Sequence, residues 1–515
     1  MSAAEPVDRP RTFREVEHKF RVHGLFRIPD LDTLHGVAEV RDAGTVELES
    51  TYHDTPDLRL AREGITLRRR TGDDQGWHLK LPVDPSRPEA RDEVHVSLTD
   101  EHSPPDVLVG LVRVIVRDAP VNQVSILRTS RSRRLVIGAR GAVIAELLDD
   151  TVHVIGPDGT VAARFRELEL EERAGGKAVA RISAALTDAG AVAGEFVAKV
   201  VRALGPSASA PPEVPEPLPA GPKDPASLSI TGYLATQVRA LRAADVEFRR
   251  DPDHAVEPVH QLRVAARRLR SGLRTFLPVL DRSWAKVLRG ELAWFAQGLG
   301  DLREAEVLLA RLDEHVTELA DDLPVDDVRA QLHDALEPSI AQARGAALEL
   351  LDSARYLALH DALVAAAANP HVTRAADAPA RDVLPGLVRA AWKRLDHVAS
   401  DLRADSADAR WHEARLAAKR TRYAAEAVAP ALGEDAWAFA TQAERLTELL
   451  GEHQDAVQAA ARVQSLAVAG DTDTETAFAL GVLAARERTR AEEARREFAE
   501  IWPEVRRPRW RRWLS

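Results

Sequence analysis

Glu15-Val-Glu17-His-Lys19-Phe-Arg21 sets a charged side chain at every second position, with Val16, His18 and Phe20 between them. A strand sends alternate side chains to opposite faces, so one face of this segment carries acids and bases together. The same habit returns downstream. Arg68 and Arg70, His78 and Lys80, Arg91 and Glu93, Arg131 and Arg133, and Glu167 and Glu169 are each spaced i, i+2. For a single strand, a charged face is ordinarily a solvent face. Repetition along the chain favours chemistry instead: acid pairs hold a hard divalent cation such as Mg²⁺ or Mn²⁺, and facing Arg and Lys groups grip phosphate oxygens. Carboxylates repel an unaccompanied phosphate, so the arrangement calls for a cation together with a polyphosphate.

Around this stretch, short alternating segments separated by Gly, Pro and Asp clusters run up to about residue 170, which predicts a mainly antiparallel β domain. Residues 205–225 hold Pro206, Pro211, Pro212, Pro215, Pro217, Pro219, Pro222 and Pro225, too many for a helix interior or a sheet, and are expected to form a semi-extended linker. Beyond it, long Ala/Leu/Arg/Glu segments with 3.6-residue periodicity predict a helical bundle. The expected organisation is therefore residues 10–204, a linker over 205–225, and residues 226–515.

A chain of 515 residues with 45% hydrophobic and 29% charged residues has the balance of a multidomain globular protein. The absence of cysteine excludes a thiolate nucleophile, an Fe–S cluster and Cys-based zinc. Residues 1–14 show no apolar signal core and no run of about 18 apolar residues occurs, so a cytoplasmic protein with no membrane span is expected.

Glu15-Val-Glu17-His-Lys19, Leu67-Arg68-Arg69-Arg70, Trp77-His-Leu-Lys80, Arg131-Ser-Arg133 and Phe165-Arg-Glu167-Leu-Glu169 together resemble the CYTH family, which includes triphosphate tunnel metalloenzymes. The resemblance implies an eight-stranded antiparallel β tunnel over about residues 10–200. It implies metal-binding acids at Glu15, Glu17, Glu167 and Glu169, and triphosphate-binding cations at Lys19, Arg68, Arg70, Lys80, Arg131 and Arg133. Glu15, Glu17 and Lys19 form its catalytic signature. Asp149 matches the family's additional acid, although a one-residue change of register would turn Asp150 or Glu146 inward instead. His18 lies opposite the acids and reads as structural, while His78 shares the parity of Lys80. The implied activity is metal-dependent hydrolysis of inorganic tripolyphosphate or a related linear triphosphate. Cyclisation of ATP to cyclic AMP and a non-catalytic polyphosphate-binding or granule-targeting role are the alternatives.

In the second half, His260-Gln-Leu-Arg263-Val-Ala-Ala-Arg267-Arg268-Leu-Arg270 aligns with His412-Glu-Ala-Arg415-Leu-Ala-Ala-Lys419-Arg420-Thr-Arg422-Tyr423. Each is followed at similar distance by a Leu-Gly pair, Leu299-Gly300 and Leu450-Gly451, which marks an internal duplication. Solvated helices usually interleave acids at i+4, yet residues 259–275 contain five arginines and no acid. Two such stripes suggest a polyanion gripped from both sides. Nucleic acid fits less well, because net charge is −11 and aromatic residues make up only 5%. The duplicated pattern is similar to the CHAD domain, an α-helical family associated with inorganic polyphosphate, and the similarity covers about residues 226–515. Its signature falls on His260, Arg263, Arg267, Arg268, Arg270, Arg303, His412, Arg415, Lys419, Arg420, Arg422 and Tyr423. Glu304 stands where the family often has Asp, and is expected to hold a neighbouring Arg.

Overall fold

The computed structural model describes residues 10–83, 87, 89–98, 102–174, 176–194, 197–254, 256–320, 322–469 and 472–515; the start of the polar N-terminal stretch, residues 1–9, lies outside them. The chain forms two compact units that divide inside the proline-rich segment, Met1–Glu213 and Val214–Ser515.

The first unit is built on β1 (Arg11–Val22), β2 (Val37–Asp54), β3 (Thr66–Thr71), β4 (Gly76–Pro82), β5 (Ala90–Val96), β6 (Asn122–Gly138), β7 (Val143–Ile155) and β8 (Val161–Glu172). They pair in the order β5-β4-β3-β2-β6-β7-β8-β1, all antiparallel, and a further β1–β5 pairing closes the ring. The expected eight-stranded antiparallel ring is thus present. Strand β1 changes partner midway: Arg11–Val16 pairs with β5 and Glu17–Val22 with β8. A two-residue strand, β9 (Val192–Ala193), adds to the β8-paired half of β1. The connections include α1 (Arg59–Arg62), α2 (Asp106–Leu111), α3 (Arg113–Val116), α4 (Gly176–Asp188) and α5 (Lys199–Leu204).

The apolar faces of these strands point outward. Phe20, Val136, Leu147, Leu168 and Leu170 pack outside the ring under Val179, Ile182 and Leu186 of α4. Helix α4 therefore covers what would otherwise be an exposed apolar sheet face, and the charged faces are left for the interior. At one end the interior also turns apolar, where Val200 of α5 packs against Tyr52, Leu127, Val152 and Val154.

The second unit is helical, as expected: α6 (Ala226–Arg250), α7 (Val256–Thr275), α8 (Arg282–Gly298), α9 (Gly300–Val316), α10 (Val325–Asp352), α11 (Ala354–Ala368), α12 (Ala380–Ser400), α13 (Asp408–Leu432), α14 (Glu434–Ala467) and α15 (Thr474–Val505). The two duplicated motifs lie on α7 and α13. Each helix buries an alanine-containing stripe, Leu262, Ala265, Ala266 and Leu269 on α7 and Ala414, Ala417, Ala418 and Thr421 on α13, and the two helices pack against each other. Among the described residues no helix is long and apolar enough to cross a membrane.

Candidate functional site

The ring encloses a cavity of about 730 Å³, and every strand of the ring contributes to its wall. On β1, the period-2 pattern turns Glu15, Glu17 and Lys19 inward together. Lys19 Nζ lies 3.0 Å from Glu17 and 2.9 Å from Glu169 of β8. Burial alone would lower an ammonium, yet Glu169 and Glu17 hold Lys19 well above its ordinary value, so it stays charged. Burial alone would likewise raise Glu17, and Lys19 and Lys80 bring it below the usual carboxylate range.

Opposite these, Arg131 Nη2 of β6 sits 2.7 Å from Asp150 and 3.0 Å from Glu169. Lys80 of β4 contacts Glu15 and lies 3.0 Å from Glu93 of β5, which in turn is 3.6 Å from Arg68. Arg70 is pulled down to about 10 by burial and by the like charges of Arg68 and Arg131, a guanidinium short of acidic partners. The Nε of Arg68 is buried without an acceptor. Buried guanidiniums with spare donors of this kind can meet the oxygens of an anion. Arg133 sits further out, 2.8 Å from Glu146 and 2.9 Å from Asp73.

Nine of the ten tunnel residues expected for metal, substrate or catalysis other than Asp149 line the cavity: Glu15, Glu17, Lys19, Arg68, Arg70, Lys80, Arg131, Arg133 and Glu169. The tenth, Glu167, is buried on the same face, 2.9 Å from Lys199 and 3.0 Å from Arg202. Asp149 is the correction. It points outward, bridged by Arg166 at 2.7 Å, and borders an open outer groove with Arg21 and Thr151. Its neighbour Asp150 is the fully buried acid that faces Arg131. Strand β7 is in register with β8 such that Glu146, Leu148, Asp150 and Val152 share the inner face.

Sequence reasoning missed Lys199. This residue opens α5, and its Nζ reaches three acids at once: Asp150 at 3.0 Å, Glu167 at 2.9 Å and Glu169 at 2.6 Å. It belongs to no alternating strand, so periodicity carried no signal for it. Glu171, also missed, lines the cavity and is pushed up to about 7 by burial and by Glu15 and Glu169. The wall further includes residues 208–212 of the proline-rich segment, where Arg62 donates to the Pro211 carbonyl at 2.8 Å. Arg117 grips Glu213 just beyond, at 2.6 and 3.0 Å.

In the helical unit, α7 and α13 bring cations of the two repeats together. Lys419 is pulled down to about 7 by burial and by Arg415 and Arg267. Arg420 is lowered by burial and by Arg274 and Arg270. His260 is pushed toward its neutral form by burial and by Arg303. Each repeat also has its own supports. Arg415 lies 3.4 Å from Asp455 of α14, His412 contacts Gln454 at 2.9 Å, and Arg263 donates to the Ala296 carbonyl at 3.0 Å. Glu304 stands 3.7 Å from Arg263, the neighbouring Arg it was expected to hold. Arg268 and Arg422 differ from the rest of the stripe, because both are tied to Glu426, at 3.0 and 2.6 Å. Tyr423 is half-buried beside Arg422.

Comparison with known proteins adds the family. A CYTH domain matches residues 14–186 and a CHAD domain matches residues 232–464. Uncharacterised proteins of two Mycobacterium tuberculosis strains are each 34% identical over 96% of this chain and 96% of their own length. Among solved structures, PptA from Streptomyces chartreusis is 29% identical with a TM-score of 0.46, covering 54% of this chain and 99% of its own. The CHAD domain from the plant Ricinus communis is 26% identical with a TM-score of 0.45, covering 55% of this chain and 95% of its own. An eight-stranded ring with a charged interior, followed by a duplicated basic helix bundle, and matched domain by domain, identifies the chain as a member of the CYTH–CHAD fusion proteins, whose CYTH domain is that of the triphosphate tunnel metalloenzyme superfamily.

Proposed function

We propose that the ring hydrolyses inorganic tripolyphosphate, or a closely related linear triphosphate, with Mg²⁺ or Mn²⁺, and that the helical unit binds long-chain polyphosphate. The observation that carries this reading is the cavity wall, in which carboxylates and cations face one another around the whole ring.

The donor set fits the metal. Glu15, Glu17, Glu167, Glu169 and Asp150 offer hard carboxylate oxygens on one inner face, the kind Mg²⁺ and Mn²⁺ prefer. Bound there, the ion would neutralise phosphate oxygens and polarise the attacked phosphorus. Lys19 is held charged by Glu169 and Glu17, so its role is to grip phosphate and not to accept a proton. Arg68, Arg70, Lys80, Arg131 and Arg133 grip the remaining oxygens and stabilise the charge that develops on the departing pyrophosphate. On the helical unit, Arg263, Arg267, Arg270, Arg415, Lys419 and Arg420 present the polyanion surface, with His260, His412 and Arg303 beside it. A protein with these ligands is expected in the cytoplasm and at polyphosphate granules.

The test is a phosphate-release screen on the full-length protein over tripolyphosphate, ATP, thiamine triphosphate and long-chain polyphosphate, with Mg²⁺, Mn²⁺ or EDTA. The ATP arm is also assayed for cyclic AMP. Tripolyphosphate should turn over fastest and EDTA should abolish the reaction. Turnover unaffected by EDTA, or cyclic AMP as the main product, would overturn the proposal.

A further inference from the structure

A second group of ligand atoms meets at the turn between β3 and β4. Asp74 in this turn has φ of 51°, the left-handed region that side-chain-bearing residues seldom adopt. Its carbonyl oxygen lies 3.0 Å from His78 Nε2, and its carboxylate 4.0 Å from His78 Nδ1. His95, paired with His78 across β4 and β5, meets it edge-on with ring centroids 4.8 Å apart. One ligand atom each from Asp74, His78 and His95 falls within 4.8 Å of the others. The backbone makes room for this: a Cβ on Gly76 would stand 2.1 Å from His95 Nε2, so any other residue there would push the ring from its present place.

The partners of His78 are those of a ligand. The side chain is fully buried, with Nδ1 against the Glu93 carboxylate and Nε2 against the Asp74 carbonyl. A cation held on Nε2 beside the Asp74 carbonyl would leave the ring's proton on Nδ1, facing the Glu93 carboxylate. A carboxylate on the far nitrogen is also the usual outer support of a metal-binding histidine.

We propose that Asp74, His78 and His95 bind a divalent transition ion of the Zn²⁺ or Co²⁺ class at the tunnel rim, separate from the all-carboxylate set inside. Two imidazoles with one carboxylate select such borderline ions over Mg²⁺. The Asp74 carbonyl is available as a further oxygen. Asp74 is also 3.8 Å from Arg70, so an ion that draws its carboxylate away leaves that guanidinium free to meet phosphate.

The experiment titrates metal-stripped full-length protein with CoCl₂ in excess Mg²⁺, following the visible ligand-field bands. The expected result is one Co²⁺ per chain with the intense bands of a low-coordinate nitrogen-containing site, displaced by Zn²⁺. His95→Ala at a partly exposed position and Asp74→Asn at an exposed one should each weaken binding tenfold or more, and Glu17→Gln should leave it unchanged. Absent bands, or bands and affinity that survive in both His95→Ala and Asp74→Asn, would overturn the site. So would loss in Glu17→Gln alone, since it assigns the ion to the interior acids. Because the readout is metal binding, failure of the triphosphatase reading leaves this result intact.

Discussion

Lys199 balances three buried acids, so its removal leaves Asp150, Glu167 and Glu169 to share fewer cations. Breaking a buried ionic cluster by deleting one partner costs about 3–5 kcal/mol. Lys199→Ala should therefore lower the melting temperature, and added Mg²⁺ should raise it by more than it raises the wild type, because the ion takes over the missing charge. Equal Mg²⁺ shifts in both proteins would show that the acids do not hold metal. Glu17→Gln is the complementary case, since Lys19 keeps Glu169 at 2.9 Å and the fold has little to lose. Its kcat on tripolyphosphate should drop by about 100-fold or more while its circular dichroism stays native. The acids on β1 and β8 were legible because period-2 spacing fixes a face. Asp149 and Asp150 were not, because Leu147 and Leu148 give the same hydrophobic signal on both faces of β7. Val152 and Val154 compound the ambiguity: they face inward where α5 fills the ring with apolar side chains.

On α7 and α13 the charges act as a stripe. Changing Arg263, Arg267 and Arg270 together to Gln removes three cations while keeping helix propensity, so polyphosphate affinity should fall and its dependence on salt should flatten. Equilibrium binding at several salt concentrations checks this, with three arginines of Arg506–Arg512 changed as a control. An unchanged slope in the stripe variant would move the site elsewhere. The stripe also has a pH signature. Lys419 is pulled from 10.5 to about 7, so below about pH 7 it is already charged when polyanion arrives, while above that binding must take up a proton. Affinity should therefore fall as pH rises from about 6 to about 9, by up to about tenfold per unit, and Lys419→Arg should remove the fall because Arg stays charged. The duplication itself was readable from residue spacing. What spacing could not convey is that Arg268 and Arg422 would both turn to Glu426, a contact fixed only when the two helices pack.

For the whole molecule, the place where the first unit ends matters. A fragment of residues 1–204 lacks the 208–212 segment of the cavity wall and removes Glu213 from Arg117, whereas residues 1–213 keep both. The longer fragment should melt higher and retain hydrolysis, and the shorter should lose at least part of each. Equal stability of the two would make this segment a passive tether. Proline content predicts a semi-extended linker, but it says nothing about what a segment leans on.

The change of partner in β1 carries a last consequence. The ring closes between Val16 and Glu17, and the residues on either side of that seam, Glu15 and Glu17, are the ones proposed to hold the ion. A ligand there works as a clasp, fastening the β5 side of the wall to the β8 side, so filling and emptying the site is also shutting and loosening the barrel. Backbone amides of residues 13–19 should exchange with deuterium far more slowly when Mg²⁺ and a non-hydrolysable triphosphate are bound, while those on the α4 side of the ring change little. Breathing of the seam would then set how quickly spent pyrophosphate leaves.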